Sequence, residues 1–175
     1  MIRKIYITGP VGSGKSTLSR RLARECGFAV YEMDFMVYRA DRHNRPENGK
    51  YTDTEREALF ADALRQDRWI MEDAGRALFE EAWRQADLIV FLVPPLPVRL
   101  VRIVTRWLKQ NLGLEACGYR PDLRMLRLMF TWTKGFETGA NGVRERLVPY
   151  QHKVRQLRTK QDVARFVEEL KEGCL

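Results

Sequence analysis

A glycine-rich segment near the start of the chain carries the clearest chemical pattern in the sequence. Residues 9–16 are Gly-Pro-Val-Gly-Ser-Gly-Lys-Ser, which matches the G-x-x-x-x-G-K-[ST] pattern of a phosphate-binding loop. In this pattern the backbone N–H groups surround phosphate oxygens, Lys15 adds a positive charge at the β- and γ-phosphates, and Ser16 offers a hydroxyl to Mg²⁺. We therefore predict a site for nucleotide phosphates formed by Gly9, Pro10, Val11, Gly12, Ser13, Gly14, Lys15, Ser16 and Thr17.

Acidic residues stand where two of the predicted strands end. Asp34 follows the second strand, and Glu72 and Asp73 end the third. Because ligands of open α/β sheets bind at the carboxyl ends of the strands, these acids are expected beside the phosphate loop. Asp34 can polarise the hydroxyl group of a molecule that accepts a phosphate, called the acceptor below, or it can hold Mg²⁺ through water. Its alternative role is to cap a helix. Either Glu72 or Asp73 can be the acid that supports Mg²⁺. We predict Lys15 and Asp34 as catalytic, Ser16 and Asp34 as metal-binding, and Asp34 and Glu72 as acceptor-binding.

Arginines form a second group of candidates. Arg99, Arg102 and Arg106 are spaced by three and four residues, which places them on one face of a predicted helix. Phosphoryl transfer depends on positioning and on charge stabilisation, so basic residues must converge on the transferred group. We predict that Arg102 and Arg106 contact ATP and assist catalysis, and that Arg76 and Arg99 hold the acceptor. A solvated helix face is the alternative for all of them.

Strands and helices alternate along the whole chain, which predicts a parallel α/β sheet with right-handed crossovers. The predicted strands are 2–8, 28–32, 68–72, 88–93 and 152–158. The predicted helices are 15–25, 53–66, 76–85, 97–111, 123–132 and 161–171. Polar segments at 39–51 and 113–121 are predicted loops. Helix caps are expected from Thr52 or Asp53 and from Asp122, and Gly27 is expected to end the first helix.

Composition bounds the class of protein. The 175 residues fit one domain, and with 45% hydrophobic and 31% charged residues the chain is globular rather than disordered. No apolar run approaches the roughly 20 residues of a membrane span. Cys26, Cys117 and Cys174 are odd in number and far apart, so they indicate neither a disulfide framework nor a zinc site. We expect a cytoplasmic protein with no membrane partner.

The net charge of +8 is concentrated in one part of the chain. Residues 96–165 contain 15 basic and five acidic residues, which favours binding to a polyanion, either nucleotide phosphates or nucleic acid. A solvated helical surface explains the same charges equally well. The sequence lacks the Asn-Lys-x-Asp stretch of GTPases, and its small size favours a small-molecule kinase. Two alternatives stay open: a nucleotide-regulated nucleic-acid-binding protein, and a hydrolase that transfers the phosphate to water.

The phosphate loop and the pair Arg102-Ile-Val-Thr-Arg106 resemble adenylate kinases and related nucleoside monophosphate kinases. Segments 9–16, 31–34, 69–72, 86–92 and 125–136 together resemble the small kinase-like proteins often labelled DNA topology modulation proteins. The resemblance implies a P-loop NTPase fold with a five-stranded parallel sheet in the order 2-3-1-4-5, an acceptor region at about 35–66 and a short lid at about 107–140. It also implies an ATP- and Mg²⁺-dependent kinase whose acceptor is a small molecule such as a nucleotide or nucleoside.

Two departures from these relatives are visible. They usually carry Glu-Gly where this chain has Glu72-Asp73, which makes the predicted acceptor pocket different or more acidic. The short lid region has no set of four cysteines for zinc. Both departures argue against an ordinary adenylate kinase specificity.

Overall fold

The computed structural model of the chain describes residues 2–38, 50–115, 121–140 and 142–174, and in them five strands form one sheet flanked by helices. The strands are β1 (Lys4–Thr8), β2 (Ala29–Glu32), β3 (Trp69–Asp73), β4 (Leu88–Leu92) and β5 (Val154–Leu157). The helices are α1 (Lys15–Cys26), α2 (Asp34–Val37), α3 (Asp53–Leu64), α4 (Glu80–Gln85), α5 (Leu96–Asn111), α6 (Leu123–Glu137), α7 (Val143–Leu147) and α8 (Lys160–Cys174).

The sheet has the order β2-β3-β1-β4-β5, and every neighbouring pair is parallel. The predicted P-loop NTPase fold, with the strand order of nucleoside monophosphate kinases, is therefore confirmed. Alternation along the chain had also predicted each of the five strands. The short helices α2 and α7 were missed, because four and five residues are too few to show a helical period.

Local capping signals explain where several helices begin and end. Thr52 caps α3 in a capping box with Glu55, and the carboxylate of Asp122 accepts the Met125 N–H at the start of α6. Gly27 ends α1 in the left-handed conformation that glycine adopts without strain. These three caps agree with the predicted ones. Among the helices of the described residues, none has the length and apolar character that crossing a membrane needs.

Side chains of the central strands alternate between two cores. Ile5 and Ile7 of β1 pack with α1 and α8, whereas Tyr6 packs on the opposite face with Trp83 of α4 and Phe136 of α6. All five are almost completely buried. This alternation decides which side chains at the carboxyl ends of the strands meet the phosphate loop and which meet α6 and α7.

The carboxyl ends of the three central strands lie at one level. Thr8, the last residue of β1, pairs with Asp73 of β3 and with Phe91 of β4. The chain then leaves β1 directly into residues 9–16, so the phosphate loop begins beside the acids that end β3. Residues 39–49 of the predicted acceptor region and residues 116–120 of the predicted lid, which include Cys117, lie outside the described residues.

Candidate active site

Two glycines of the phosphate loop (residues 9–16) occupy positions that have no room for a side chain. A Cβ atom on Gly9 would lie 2.1 Å from the carbonyl oxygen of Leu92 in β4. On Gly12, whose φ is +76°, it would lie 2.8 Å from the carbonyl oxygen of Arg99 in α5. The loop is therefore packed tightly against β4 and α5, and only glycine permits this approach.

The ammonium group of Lys15 lies over the loop that precedes it. Its Nζ donates to the carbonyl oxygen of Gly9 at 3.0 Å and to that of Pro10 at 3.3 Å. These contacts are easily exchanged, because the lysine side chain is flexible and its ammonium group can turn from the two backbone carbonyls to another acceptor. A phosphate group entering the loop can replace them with charge-assisted bonds, which are stronger.

Arg102 supports the phosphate loop from α5. Its guanidinium donates to the carbonyl oxygen of Ser13 at 2.7 Å and to that of Gly12 at 3.3 Å. Because the C=O of one residue and the N–H of the next point in opposite directions across a trans peptide, the bond to Ser13 turns the amide of Gly14 away from α5. Arg102 thus lies where the prediction required it, beside the loop that would hold the nucleotide.

The other two arginines of α5 face α6 instead. Arg99 is 1% exposed and donates to Pro94 O at 3.0 Å and to the hydroxyl of Thr133 at 2.8 Å, and it pairs with Glu137. A guanidinium of Arg106 lies 3.5 Å from the sulfur of Met129. The structure therefore places Arg99 against α6 and not beside the acids of β2 and β3. We accordingly do not propose that Arg99 contacts the acceptor.

Glu72 lies beneath the phosphate loop, on the α1 face of the sheet. The residue is 7% exposed, and its Oε2 has no hydrogen-bond partner among the described residues. Burial raises the pKa of this carboxyl, and the nearby Lys15 ammonium and Ser16 hydroxyl partly offset that effect. An unpartnered carboxylate oxygen beside the Ser16 hydroxyl fits the oxygen ligands that Mg²⁺ prefers. The sequence left Glu72 and Asp73 as equal candidates, and Glu72 is the one on the side of Lys15.

Replacing Glu72 with glutamine is expected to raise the melting temperature at neutral pH. The pKa of Glu72 is higher in the folded than in the unfolded chain, so its contribution to stability is full below the unfolded pKa and is lost as pH rises through the folded pKa. Glutamine does not titrate. The advantage of Glu72→Gln over wild type should therefore grow as the pH rises above about 4, the usual pKa of a glutamate in an unfolded chain, measured by thermal unfolding. The exposed Glu57→Gln is the control, and a pH-independent difference for Glu72→Gln would contradict the expectation.

Asp73 points to the opposite face of the sheet and anchors a chain of charges. Its buried carboxylate accepts hydrogen bonds from the Tyr6 hydroxyl at 3.3 Å, from the Gly75 amide at 2.7 Å, and from both the amide and the guanidinium of Arg76. The same guanidinium pairs with Asp34, whose side chain is 69% exposed. Burial lowers the pKa of Arg76, but the negative charges of Asp73 and Asp34 outweigh it and raise this pKa. Asp73 therefore holds Arg76, and Arg76 holds an exposed carboxylate at the end of β2.

Two arginines of α7 reach the same edge of the sheet, although the sequence predicted no role for either of them. Arg146 donates to the carbonyl oxygen of Gly75. Arg144 lies over the rings of Phe91 and Phe136, with distances of 5.7 and 5.2 Å to the ring centres. The basic excess of residues 96–165 included both arginines, but nothing in the sequence distinguished them from the other basic residues. Only packing of α7 against the turn after β3 brings them to the site.

Comparison with known proteins places the chain in a wider group. Residues 5–112 match the family model described as an AAA domain, and no curated protein is matched. Three similar solved structures are a gluconokinase from Sinorhizobium meliloti 1021, a shikimate kinase from Acinetobacter baumannii in complex with shikimate, and a deoxyadenosine kinase from M. mycoides with bound dATP.

These likenesses cover nearly complete chains. The gluconokinase is 18% identical over 98% of this chain and 91% of its own, with a TM-score of 0.55. The shikimate kinase is 16% identical over 97% of this chain and 91% of its own, with a TM-score of 0.56. The deoxyadenosine kinase is 17% identical over 97% of this chain and 98% of its own, with a TM-score of 0.57. At such identities the likeness concerns the fold alone, and the resemblance to DNA topology modulation proteins stays a prediction. The family model runs from β1 through the phosphate loop to the end of α5, which is more than half of the sequence, and the chain therefore belongs to the AAA domain family.

Proposed function

We propose that this protein is an ATP-dependent phosphotransferase that moves the γ-phosphoryl group of ATP to a hydroxyl group of a small-molecule acceptor. The observation that carries the proposal is the pairing of two features at one edge of the sheet. One is the phosphate loop after β1, and the other is the exposed carboxylate of Asp34, which Arg76 and the buried Asp73 hold in place. Similar folds in three proteins named as kinases support the same class of reaction.

On the nucleotide side, the proposal assigns the phosphates to the amides of the loop, to Lys15 and to Arg102. Arg102 already contacts two loop carbonyls, so a phosphate bound in the loop lies within reach of its positive charge. Arg106 is one helical turn further along α5 and is proposed to reach the phosphates only when the nucleotide is bound. Concentrated positive charge of this kind stabilises the phosphoryl group during transfer. Because Met129, Thr133 and Phe136 are buried, α6 is not part of the closing segment that we propose within the predicted lid region, about residues 107–140.

Ser16 and Glu72 would hold the Mg²⁺ that accompanies ATP, with Asp34 contributing through water. Mg²⁺ bound there would neutralise part of the negative charge on the β- and γ-phosphate oxygens. Within the described parts of the chain the Oε2 of Glu72 has no hydrogen-bond partner, and this observation favours Glu72 over Asp73, whose carboxylate already accepts hydrogen bonds from three residues.

On the acceptor side, Asp34 is proposed as the group that orients the acceptor hydroxyl and takes its proton. The hydroxyl oxygen forms a bond to the γ-phosphorus, the bond from that phosphorus to the β–γ bridging oxygen breaks, and ADP leaves with the electron pair. Asp34 then releases the proton to solvent. Arg76 keeps the carboxylate oriented, and the acceptor itself is proposed to lie over the region at about 35–66 of a single domain.

An ATP-consumption screen tests the proposal. Purified protein with ATP and Mg²⁺ is offered nucleosides, nucleotides and other small hydroxyl compounds, and both ADP and phosphorylated product are measured. We expect ADP to form only when one class of acceptor is present, in equal amount to the phosphorylated acceptor. ADP and free phosphate formed equally with and without acceptors would instead support the hydrolase alternative.

The nucleic-acid alternative has less support. It required the basic residues of 96–165 to form an exposed surface, yet Arg99 is buried between α5 and α6 and Arg102 is committed to the phosphate loop. These two arginines therefore act within the protein, and without them the basic stretch gives a nucleic-acid partner less support than the kinase proposal has.

A further inference from the structure

Thr133 of α6 is a buried polar side chain that reaches the phosphate loop. The residue is fully buried, and its Oγ1 donates to the carbonyl oxygen of Val11 at 3.2 Å and accepts from a guanidinium nitrogen of Arg99 at 2.8 Å. A threonine inside a helix commonly donates to the carbonyl four residues before it. Thr131, two positions before Thr133 in the same helix, does so with Arg127, whereas Thr133 uses its hydroxyl to join α6 to the loop.

Arg99 decides which way the hydroxyl of Thr133 points. A guanidinium can only donate, and a threonine hydroxyl has a single proton. Oγ1 must therefore accept from Arg99, and its proton is directed to Val11. Two further contacts of Arg99, to Pro94 O at 3.0 Å and to Glu137, keep the guanidinium in this position. Donation by a charged group also polarises the hydroxyl and strengthens the bond that it makes onward.

This bond orients one particular peptide of the phosphate loop. The carbonyl of Val11 and the amide of Gly12 belong to the same planar trans peptide and point in opposite directions. Pulling the carbonyl towards α6 turns the Gly12 amide away from it. In the part of the chain that the structure describes, that amide makes no hydrogen bond to another protein group. Such outward-facing loop amides are the donors that bind phosphate oxygens.

We infer that Thr133 is a positioning residue, which holds the Gly12 amide ready for a nucleotide phosphate, and that Arg99 acts through it by orienting its hydroxyl. The inference rests on the nucleotide-binding part of the proposed function. It gives α6 a role in the nucleotide site without any contact between α6 and the nucleotide. It also explains why a fully buried arginine lies next to the loop.

The test compares Thr133→Val with Thr131→Val. Valine keeps the shape of threonine and removes only the hydroxyl, and Arg99 retains the main-chain oxygen of residue 133 as an acceptor at 3.2 Å, so the variant is expected to fold. We expect Thr133→Val to weaken ADP binding about five- to tenfold in calorimetric titrations, the effect of losing one hydrogen bond. Thr131→Val should change it less than about twofold, and Thr133→Ser, which keeps the hydroxyl, should restore most of the affinity.

A second measurement does not depend on nucleotide binding. The Ser13 amide donates to Pro10 O at 3.2 Å inside the loop, and its hydrogen exchange in nucleotide-free protein reports how well the loop is held. We expect faster exchange in Thr133→Val than in Thr131→Val. Equal exchange, or equal ADP affinity with a lowered melting temperature, would mean that Thr133 is only structural and would overturn the inference. If wild type binds no ADP, the proposed function fails, and the exchange comparison still decides the role of Thr133.

Discussion

Replacing Lys15 with alanine is expected to lower turnover about 10²–10³-fold, as removal of one group that stabilises developing charge does in other enzymes. Nucleotide binding should fall with it. At 100 times its Kd a ligand stabilises the fold by about 2.7 kcal/mol, which corresponds to a rise of roughly 5–10 °C in the melting temperature of a chain this size. The Lys15→Ala variant should lose most of that rise, measured by thermal unfolding with and without ATP and Mg²⁺.

The Lys15 variant should fold like the wild type, because among the described residues the Nζ atom donates hydrogen bonds only to the backbone carbonyls of Gly9 and Pro10, and both lie in the loop itself. Lys134→Ala is the matched control, since Lys134 is an exposed lysine of α6. Its thermal response to ATP should equal that of the wild type. If Lys15→Ala and wild type respond equally to ATP, residues 9–16 do not hold the nucleotide phosphates.

Replacing Asp34 with asparagine is expected to lower turnover with acceptor by about 10²–10⁴-fold, the usual contribution of a general base. ATP binding should be nearly unchanged, because Asp34 lies at the end of β2 and holds Arg76 rather than the loop. Stability should change little as well. The carboxylate is 69% exposed, and Arg76 keeps its buried partner Asp73. Steady-state kinetics and calorimetric titration with ATP separate the two effects.

Glu169→Gln provides the control for this substitution. Glu169 is likewise an exposed carboxylate paired with an arginine, Arg155 of β5, but it lies in α8, outside the proposed acceptor region. Its replacement should leave turnover unchanged. Equal turnover in wild type and Asp34→Asn would assign Asp34 a structural role, and the proton of the acceptor would then need another route.

Local sequence was sufficient to predict most of the secondary structure and the phosphate loop. The loop pattern is contiguous, the strands are short apolar runs, and the longer helices have a clear period, so each signal lies within a few neighbouring residues. Residue pairs such as Thr52 and Glu55 predict a cap for the same reason. The strand order was expected only from resemblance to known kinases, because pairing between β1, β3 and β4 joins residues about 65 to 85 positions apart.

The roles of the charged residues depended on the tertiary structure. Strand alternation indicates that Glu72 and Asp73 face opposite ways, but only the packing of α1 on one side of the sheet brings Glu72 to Lys15. Helical spacing places Arg99, Arg102 and Arg106 on one face of α5. Since that face is wide enough to meet both the loop and α6, Arg102 contacts Ser13 while Arg99 turns to Thr133.

What the sequence by itself determined, then, is which residues form each strand, helix and loop, and which residue types could carry phosphate chemistry. What only the tertiary structure decided is which of those residues meet. Thr133 and Arg146 of α7 carry no recognisable pattern of their own. Their partners Val11 and Gly75 are distant in the chain. Such contacts arise when whole elements pack together, and a side chain's neighbours in the sequence do not specify them.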